Sequence, residues 1–253
     1  MTAVRTERTF CRVCASLCGV LMDIEGTIIP VAFVRDVLFP YAKHRLAAFL
    51  QEQHEEPAVR QWAEVCQDTV TLERGRRPAY EELSAILGRW IEEDRKHPGL
   101  KGIQGMIWQE GYRTGAFAPE LYEEVAPALD HWRRNSLKLA LYSSGSEQAQ
   151  RLLLEHTTDG NLTELFSNFF DTRIGGKTET ASYQRIVDHM ALRAEEILFL
   201  SDIEAELDAA AAAGLQTAHI VRPGTPPGTR HRMYATFDDL SRTDSTFHEL
   251  FAT

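Results

Sequence analysis

The chain has 253 residues, 43% hydrophobic and 25% charged, enough for one catalytic domain plus a sizeable insertion. Lys and Arg number 27 against 37 acids, a net charge of −10, so there is no basic field to hold a nucleic acid, whereas a small phosphate ester needs only a local cluster. No apolar run approaches the roughly 18 residues of a membrane-spanning helix and the Arg-containing start lacks an apolar signal core, so the expectation is a cytoplasmic protein with no membrane partner.

In chain order, the first feature is Cys11, Cys14 and Cys18 in "RTFCRVCASLCG", with Cys66 the only other cysteine. Such usage does not read as a secreted disulfide framework. The spacing resembles the opening iron–sulfur motif of molybdopterin oxidoreductases, and such clusters take four ligands. A redox or iron–sulfur protein on an otherwise inactive scaffold is therefore one alternative; unligated thiols or an aberrant N-terminus is the other.

Next, Val20-Leu21-Met22 is an apolar run that stops at Asp23-Ile24-Glu25-Gly26-Thr27. It reads as a buried strand carrying two acids, spaced i, i+2, into a turn. From about Val31 to Ala126 helical periodicity dominates, including Tyr80 to Asp94 and Gly102 to Tyr112, with Arg77-Pro78 and His97-Pro98-Gly99 as punctuation. Strand pattern resumes near Leu137. Leu139 to Tyr142 runs into Ser143-Ser144-Gly145-Ser146, and a helix is expected from Glu147. Phe169-Phe170, a helix from Thr180, Ile197 to Leu200 ending at Ser201-Asp202, a helix from Glu204 and a strand near Ala218 to Val221 complete the alternation.

Alternating strands and helices predict an α/β fold, a doubly wound parallel sheet, with a helical cap inserted after the first strand. The expected divisions are an atypical segment 1–19, a catalytic core of 20–30 and 127–228, a cap of 31–126 and a polar, peripheral tail of 229–253. In such sheets ligands bind beyond the carboxyl ends of the strands, where Asp23, Ser143, Ser144 and Asp202 are expected. Lys177, after Gly175-Gly176, adds a cation to the same rim. Each residue also has a plain reading. Asp23 with Glu25 suits a turn, Asp202 and the serines suit helix N-caps, and most lysines are solvated.

These four motifs, in this order, resemble the haloacid dehalogenase superfamily of phosphatases. The chain is more similar still to the enolase-phosphatase family of methionine salvage. That likeness rests on "DIEGTIIPVAFVRDVLFPYA" (Asp23 to Ala42), "KGIQGMIWQEGY" (Lys101 to Tyr112), "LYSSGSEQAQ" (Leu141 to Gln150), "GGKTETASY" (Gly175 to Tyr183) and "FLSDIEAELDAAAAAG" (Phe199 to Gly214). It covers roughly Val20 to Gly228, and Ile28-Ile29 departs from the threonines usual after the Gly-Thr turn.

The resemblance implies a magnesium-dependent, monomeric enzyme that enolises 2,3-diketo-5-methylthiopentyl-1-phosphate and hydrolyses its phosphate to give the acireductone. It implies Asp23 as nucleophile and Glu25 as the acid and base that serves the leaving oxygen and the hydrolytic water. Ser143, Ser144 and Lys177 would bind phosphate. Asp23, Asp202 and Glu25, the last through its carbonyl, would hold magnesium, with Glu206 contributing. The cap segment with Met106, Ile107, Trp108 and Tyr112 reads as packed core from its spacing, and by resemblance as a cover that meets a methylthio-alkyl chain. A phosphatase for another small phosphate ester is the alternative within the same fold.

Overall fold

A computed structural model describes residues 17–243. Six strands, β1 (Gly19–Met22), β2 (Lys138–Tyr142), β3 (Phe166–Phe170), β4 (Ile197–Ser201), β5 (Gln216–Ile220) and β6 (Met233–Tyr234), form one parallel sheet in the order β3-β2-β1-β4-β5-β6. β1 is buried along its whole length and pairs on both sides, Leu21 with Ala140 and with Phe199. A strand covered on both faces needs apolar residues at every position, which is why "GVLM" does not alternate.

The period of two sorts these side chains onto opposite faces. Val20 and Met22 join Leu139, Leu141, Leu198 and Leu200 on the face covered by α6 (Val125–Arg134), α7 (Glu147–Glu155) and α10 (Phe237–Thr243). Leu21, Ala140 and Phe199 turn to the face covered by α8 (Thr180–Met190) and α9 (Glu204–Ala212). Helices on both faces of a parallel sheet make the doubly wound α/β fold that the alternation predicts.

The chain order doubles back at β1, whose neighbours are β2 and β4. A crevice opens at such a switch point beyond the carboxyl ends of the strands. Asp23 follows β1 and Asp202 follows β4, so the two acids flank it.

Between β1 and β2 lies a helical assembly. α1 (Val31–Phe33) passes through a π-helical turn (Val34–Leu38) into α2 (Phe39–Glu52), followed by α3 (Pro57–Arg74), α4 (Tyr80–Glu92) and α5 (Pro98–Thr114). Leu46, Phe49 and Leu50 of α2, Val59, Ala63 and Cys66 of α3, Leu83, Leu87 and Trp90 of α4, and Leu100, Ile103 and Ile107 of α5 share a core separate from those of the sheet. Their i, i+3, i+4 spacing gives each helix one apolar face.

One local expectation is borne out and one is corrected. His97-Pro98-Gly99 separates α4 from α5 as the pattern predicts, and α5 starts at Pro98, ahead of Gly102. Proline is tolerated there because the amide it lacks has no partner inside the helix, and the His97 ring accepts from the Leu100 amide as N-cap. The described part of 229–253 is not a peripheral tail: β6 pairs with β5, and Tyr234, Phe237 and Leu240 are buried in the main core. The segment's polarity hid three well-spaced apolar anchors.

Of the cysteines, Cys11 and Cys14 lie outside the described residues. The Cys18 amide donates to Glu196 and its carbonyl accepts from Lys138, extending the central ladder. Cys66 is fully buried in the helical core, and burial pushes its thiol up to about 12. Cys66 is thus committed to packing rather than to a cluster shared with Cys18.

Candidate active site

Asp23 leaves β1 with its amide donating to Leu200, and its side chain is almost fully buried. The turn that follows is tight: Gly26 donates to Ile29, and Ile28 and Ile29 both donate to Ile24. Gly26 adopts φ +74°. A Cβ there would lie 2.5 Å from an Asp202 carboxylate oxygen, so glycine both permits the left-handed turn and lets backbone approach that acid.

The Lys177 ammonium lies between two carboxylates, 2.6 Å from Asp23 Oδ1 and 2.7 Å from Glu206 Oε2. Burial alone would lower its pKa, but Asp23 and Glu206 outweigh that and hold it above the ordinary lysine range. Lys177 therefore stays charged, contrary to the solvated-lysine reading. Its loop is anchored from beneath, because the Tyr142 hydroxyl donates to the Gly175 carbonyl at 3.0 Å and the Tyr183 hydroxyl to the Lys177 carbonyl at 2.7 Å.

Asp202 does not cap a helix. The N-cap of α9 is Ile203, and Asp202 Oδ1 is buried with no hydrogen-bond partner. Burial, then the charges of Asp23 and Glu206, pushes its carboxyl up to about 7. Glu206 is raised for the same first reason, burial, with Asp23 adding to it, and accepts from Ser201 Oγ at 2.9 Å. Glu25 is half-buried and also raised, by burial first and by Asp23 second, with Lys177 opposing.

A buried acid without a partner beside other acids is costly unless a cation joins it. Among the described residues no three His, Cys, Asp or Glu side chains gather closely enough to hold a metal by themselves. Magnesium does not require that, since one or two carboxylates, waters and a substrate phosphate complete its shell. Asp23 and Asp202 supply that number of hard oxygen ligands, and Glu25 has its main-chain carbonyl to offer. The donor set fits magnesium.

The serines after β2 divide their work. Ser146 caps α7, accepting from Ala149, whereas Ser143 is buried and accepts from the Gly145 amide at 3.1 Å. Ser144 is exposed on the rim. Gln150 fixes this loop by donating to Gly145 at 3.0 Å and to Phe170 at 2.8 Å. Ser143, Asp23, Lys177 and Asp202 thus share the sheet's carboxyl edge, as their strand ends require.

The cap segment is mostly interior. Ile107 and Tyr112 are buried, and the Trp108 indole donates to the Leu38 carbonyl at 2.9 Å. Helical spacing is the same for a packed face and a covering face, so the sequence left both readings open.

Arg222 is a residue that sequence reasoning missed. Its buried guanidinium pairs with Glu124 at 2.6 Å, donates to the Thr27 carbonyl at 2.9 Å and to the Ala235 carbonyl at 2.9 Å, and lies 4.0 Å from the centre of the Tyr122 ring. One side chain therefore ties the turn after Asp23, the return from the helical assembly and the C-terminal strand. Position 222 follows an apolar strand and precedes Pro223-Gly224, where a solvated arginine is the ordinary expectation, so only the fold makes the contact visible.

Residues 19–214 match the family model described as haloacid dehalogenase-like hydrolase. The chain is 51% identical over 226 residues to the enolase-phosphatase E1 of Gluconacetobacter diazotrophicus, covering 88% of this chain and 93% of that protein. It is 52% identical over 204 residues to the enolase-phosphatase E1 of Acidiphilium cryptum, covering 81% of this chain and 84% of the other. The crystal structure of the UTR4 protein from Saccharomyces cerevisiae superposes with a TM-score of 0.74 at 32% identity, over 89% of this chain and 100% of that one. A matching family model and these relatives lead to one conclusion: the chain is a hydrolase of the haloacid dehalogenase-like family and belongs to its enolase-phosphatases.

Proposed function

We propose that the chain converts 2,3-diketo-5-methylthiopentyl-1-phosphate to 1,2-dihydroxy-3-keto-5-methylthiopentene and phosphate, with magnesium as cofactor. The observation that carries this reading is the buried Asp23–Lys177–Glu206 ion pair beside the partnerless oxygen of Asp202, at the switch point of the sheet. Phosphoryl transfer needs positioning and charge neutralisation more than covalent assistance, and this arrangement provides both.

Asp23 is the nucleophile and forms an aspartyl-phosphate. Lys177 orients its carboxylate and offsets charge on the transferring group, while Ser143 and Ser144 receive phosphate oxygens. Asp23, Asp202 and the Glu25 carbonyl would hold magnesium, which would supply positive charge between an anionic phosphate and an anionic nucleophile.

Glu25 links the two reactions. As a carboxylate with a raised pKa it takes the proton from C1 of the diketone. It is then protonated, the state required to give a proton to the leaving oxygen when Asp23 attacks phosphorus. Deprotonated again, it accepts a proton from the water that hydrolyses the aspartyl-phosphate.

The test is phosphate release from the diketo-phosphate, with magnesium or with a chelator, while ultraviolet absorbance reports the acireductone. Metal-dependent phosphate together with the new absorbance is expected. Phosphate without acireductone would point to another phosphate ester as substrate, and neither signal would refute the assignment.

A further inference from the structure

The corner between α4 and α5 is built more firmly than a surface turn requires. His97 lies in its centre: its ring accepts from the Leu100 amide, packs against Trp90 with ring centres 4.8 Å apart, and makes a 2.9 Å hydrogen bond with Thr69 Oγ1. Because Nδ1 accepts from Leu100, the proton is on Nε2, which donates to Thr69. The Arg95 guanidinium lies 4.0 Å from the centre of the Trp90 ring and pairs with Glu73. Gly102 presses on Trp62, where a Cβ would come within 2.4 Å of the indole, so α5 starts in direct contact with α3.

This rigid corner carries Lys101 to the catalytic rim. Lys101 Nζ donates to the carbonyl of Ser144 at 3.1 Å, across 43 positions of sequence. Many cations of this acidic chain pair with carboxylates, but Lys101 has no such partner among the described residues. It also lies in the first turn of α5, where the helix dipole disfavours a positive charge. An ammonium held at that cost, with one N–H on the Ser144 carbonyl and two more to give, is available to an anionic oxygen.

The substrate decides which oxygen. A phosphate held by Ser143 and Ser144 would leave the rest of the substrate on the side of the Ser144 loop that Lys101 reaches. We infer that Lys101 is a substrate-contacting residue of the enolisation step, its ammonium donating to the diketone oxygen that becomes the enolate. In that step the C1–H bond breaks, its proton passes to the Glu25 carboxylate, its electron pair forms the C1–C2 double bond, and the C2 carbonyl pair moves onto oxygen beside Lys101. A preorganised donor at developing oxyanion charge is worth about 100-fold or more in rate, because it need not reorganise during the reaction.

This inference rests on the diketo-phosphate reading above, and the experiment separates the two. Wild type, Lys101→Met and Lys101→Arg are assayed with magnesium on the diketo-phosphate and on p-nitrophenyl phosphate, which has no carbon to enolise. The ratio of diketo-phosphate to p-nitrophenyl phosphate activity is expected to fall by roughly 100-fold in Lys101→Met and to recover substantially in Lys101→Arg. Deuterium uptake from solvent at C1 should fall in parallel with that ratio. Equal losses on both substrates would make Lys101 a latch between cap and phosphate loop and overturn the inference, as would no loss on either. Failure of wild type to turn over the diketo-phosphate while it hydrolyses p-nitrophenyl phosphate would remove the substrate reading, and this inference with it.

Discussion

The catalytic edge and the helical cap bury comparable side chains under opposite rules. In the cap, Leu46, Leu83, Leu87 and Ile103 are buried against one another, and charges such as Lys43–Glu92 and Arg77–Asp68 stay outside as exposed pairs. At the edge, Asp23, Asp202 and Glu206 are buried together around one lysine, with an oxygen of Asp202 unpartnered. Exposed pairs contribute little either way, whereas clustered buried acids are a standing cost. The cap is arranged for stability; the edge holds charge in place for a ligand at the expense of stability.

The sharpest way to break this comparison is Asp23→Asn. Removing the proposed nucleophile should lower turnover by at least about 10⁴-fold, since loss of a residue that acts as part of a unit removes nearly all of its effect. The fold should persist, because Lys177 keeps Glu206 as partner and one source of repulsion on Asp202 and Glu206 disappears. Steady-state kinetics with a thermal melt would check both halves. Retained activity would refute the nucleophile, and collapse of the fold would refute the claim that the edge costs stability.

The converse change is Leu87→Ala in the cap. Leu87 is fully buried in α4, and truncation there should cost about 2–5 kcal/mol through lost transfer energy and the cavity left behind. Urea unfolding measures that loss. Activity on p-nitrophenyl phosphate at a temperature where the variant is folded should change far less than in Asp23→Asn. A stability loss below about 0.5 kcal/mol would show that the cap core is not packed as described.

How much of this was legible beforehand follows the same division. The edge could be read because an apolar run ending in Asp23, another ending in Ser143 and a third ending in Asp202 each announce a strand end, and parallel topology gathers strand ends. Pairing of Lys177 with Glu206 was not legible, since it depends on where α9 stands relative to the loop before α8. Arg222 and Lys101 were hidden for a related reason: each is ordinary in its own segment and acquires meaning only from carbonyls at Thr27 and Ser144 that the fold brings up. In the cap, spacing marks the helices and the break at His97-Pro98-Gly99, but not whether Met106 to Tyr112 packs inward or outward, nor that the second helix begins at Pro98 itself.

The smallest expected effect is also the most direct measure of the edge's cost. Burial, then the charges of Asp23 and Glu206, pushes the Asp202 carboxyl up to about 7, well above a carboxyl of the unfolded chain. A group whose folded pKa is raised binds more protons folded than unfolded, so its contribution to stability falls as pH rises from the ordinary carboxylate range through about 7. Magnesium bound as proposed should reverse that trend, because it would bind the ionised form and displace the proton where one is present. With magnesium at about 100 times its dissociation constant, the stabilisation should be about 2.7 kcal/mol, read as a rise in melting temperature of roughly 5–10 °C. The rise should be larger at pH 8 than at pH 5.5, where Asp202 is mostly protonated before the metal arrives. Asp202→Asn should abolish both the rise and its pH dependence, and a magnesium effect equal at the two pH values would show that Asp202 is ionised in the metal-free fold and that the acids at this edge do not oppose one another.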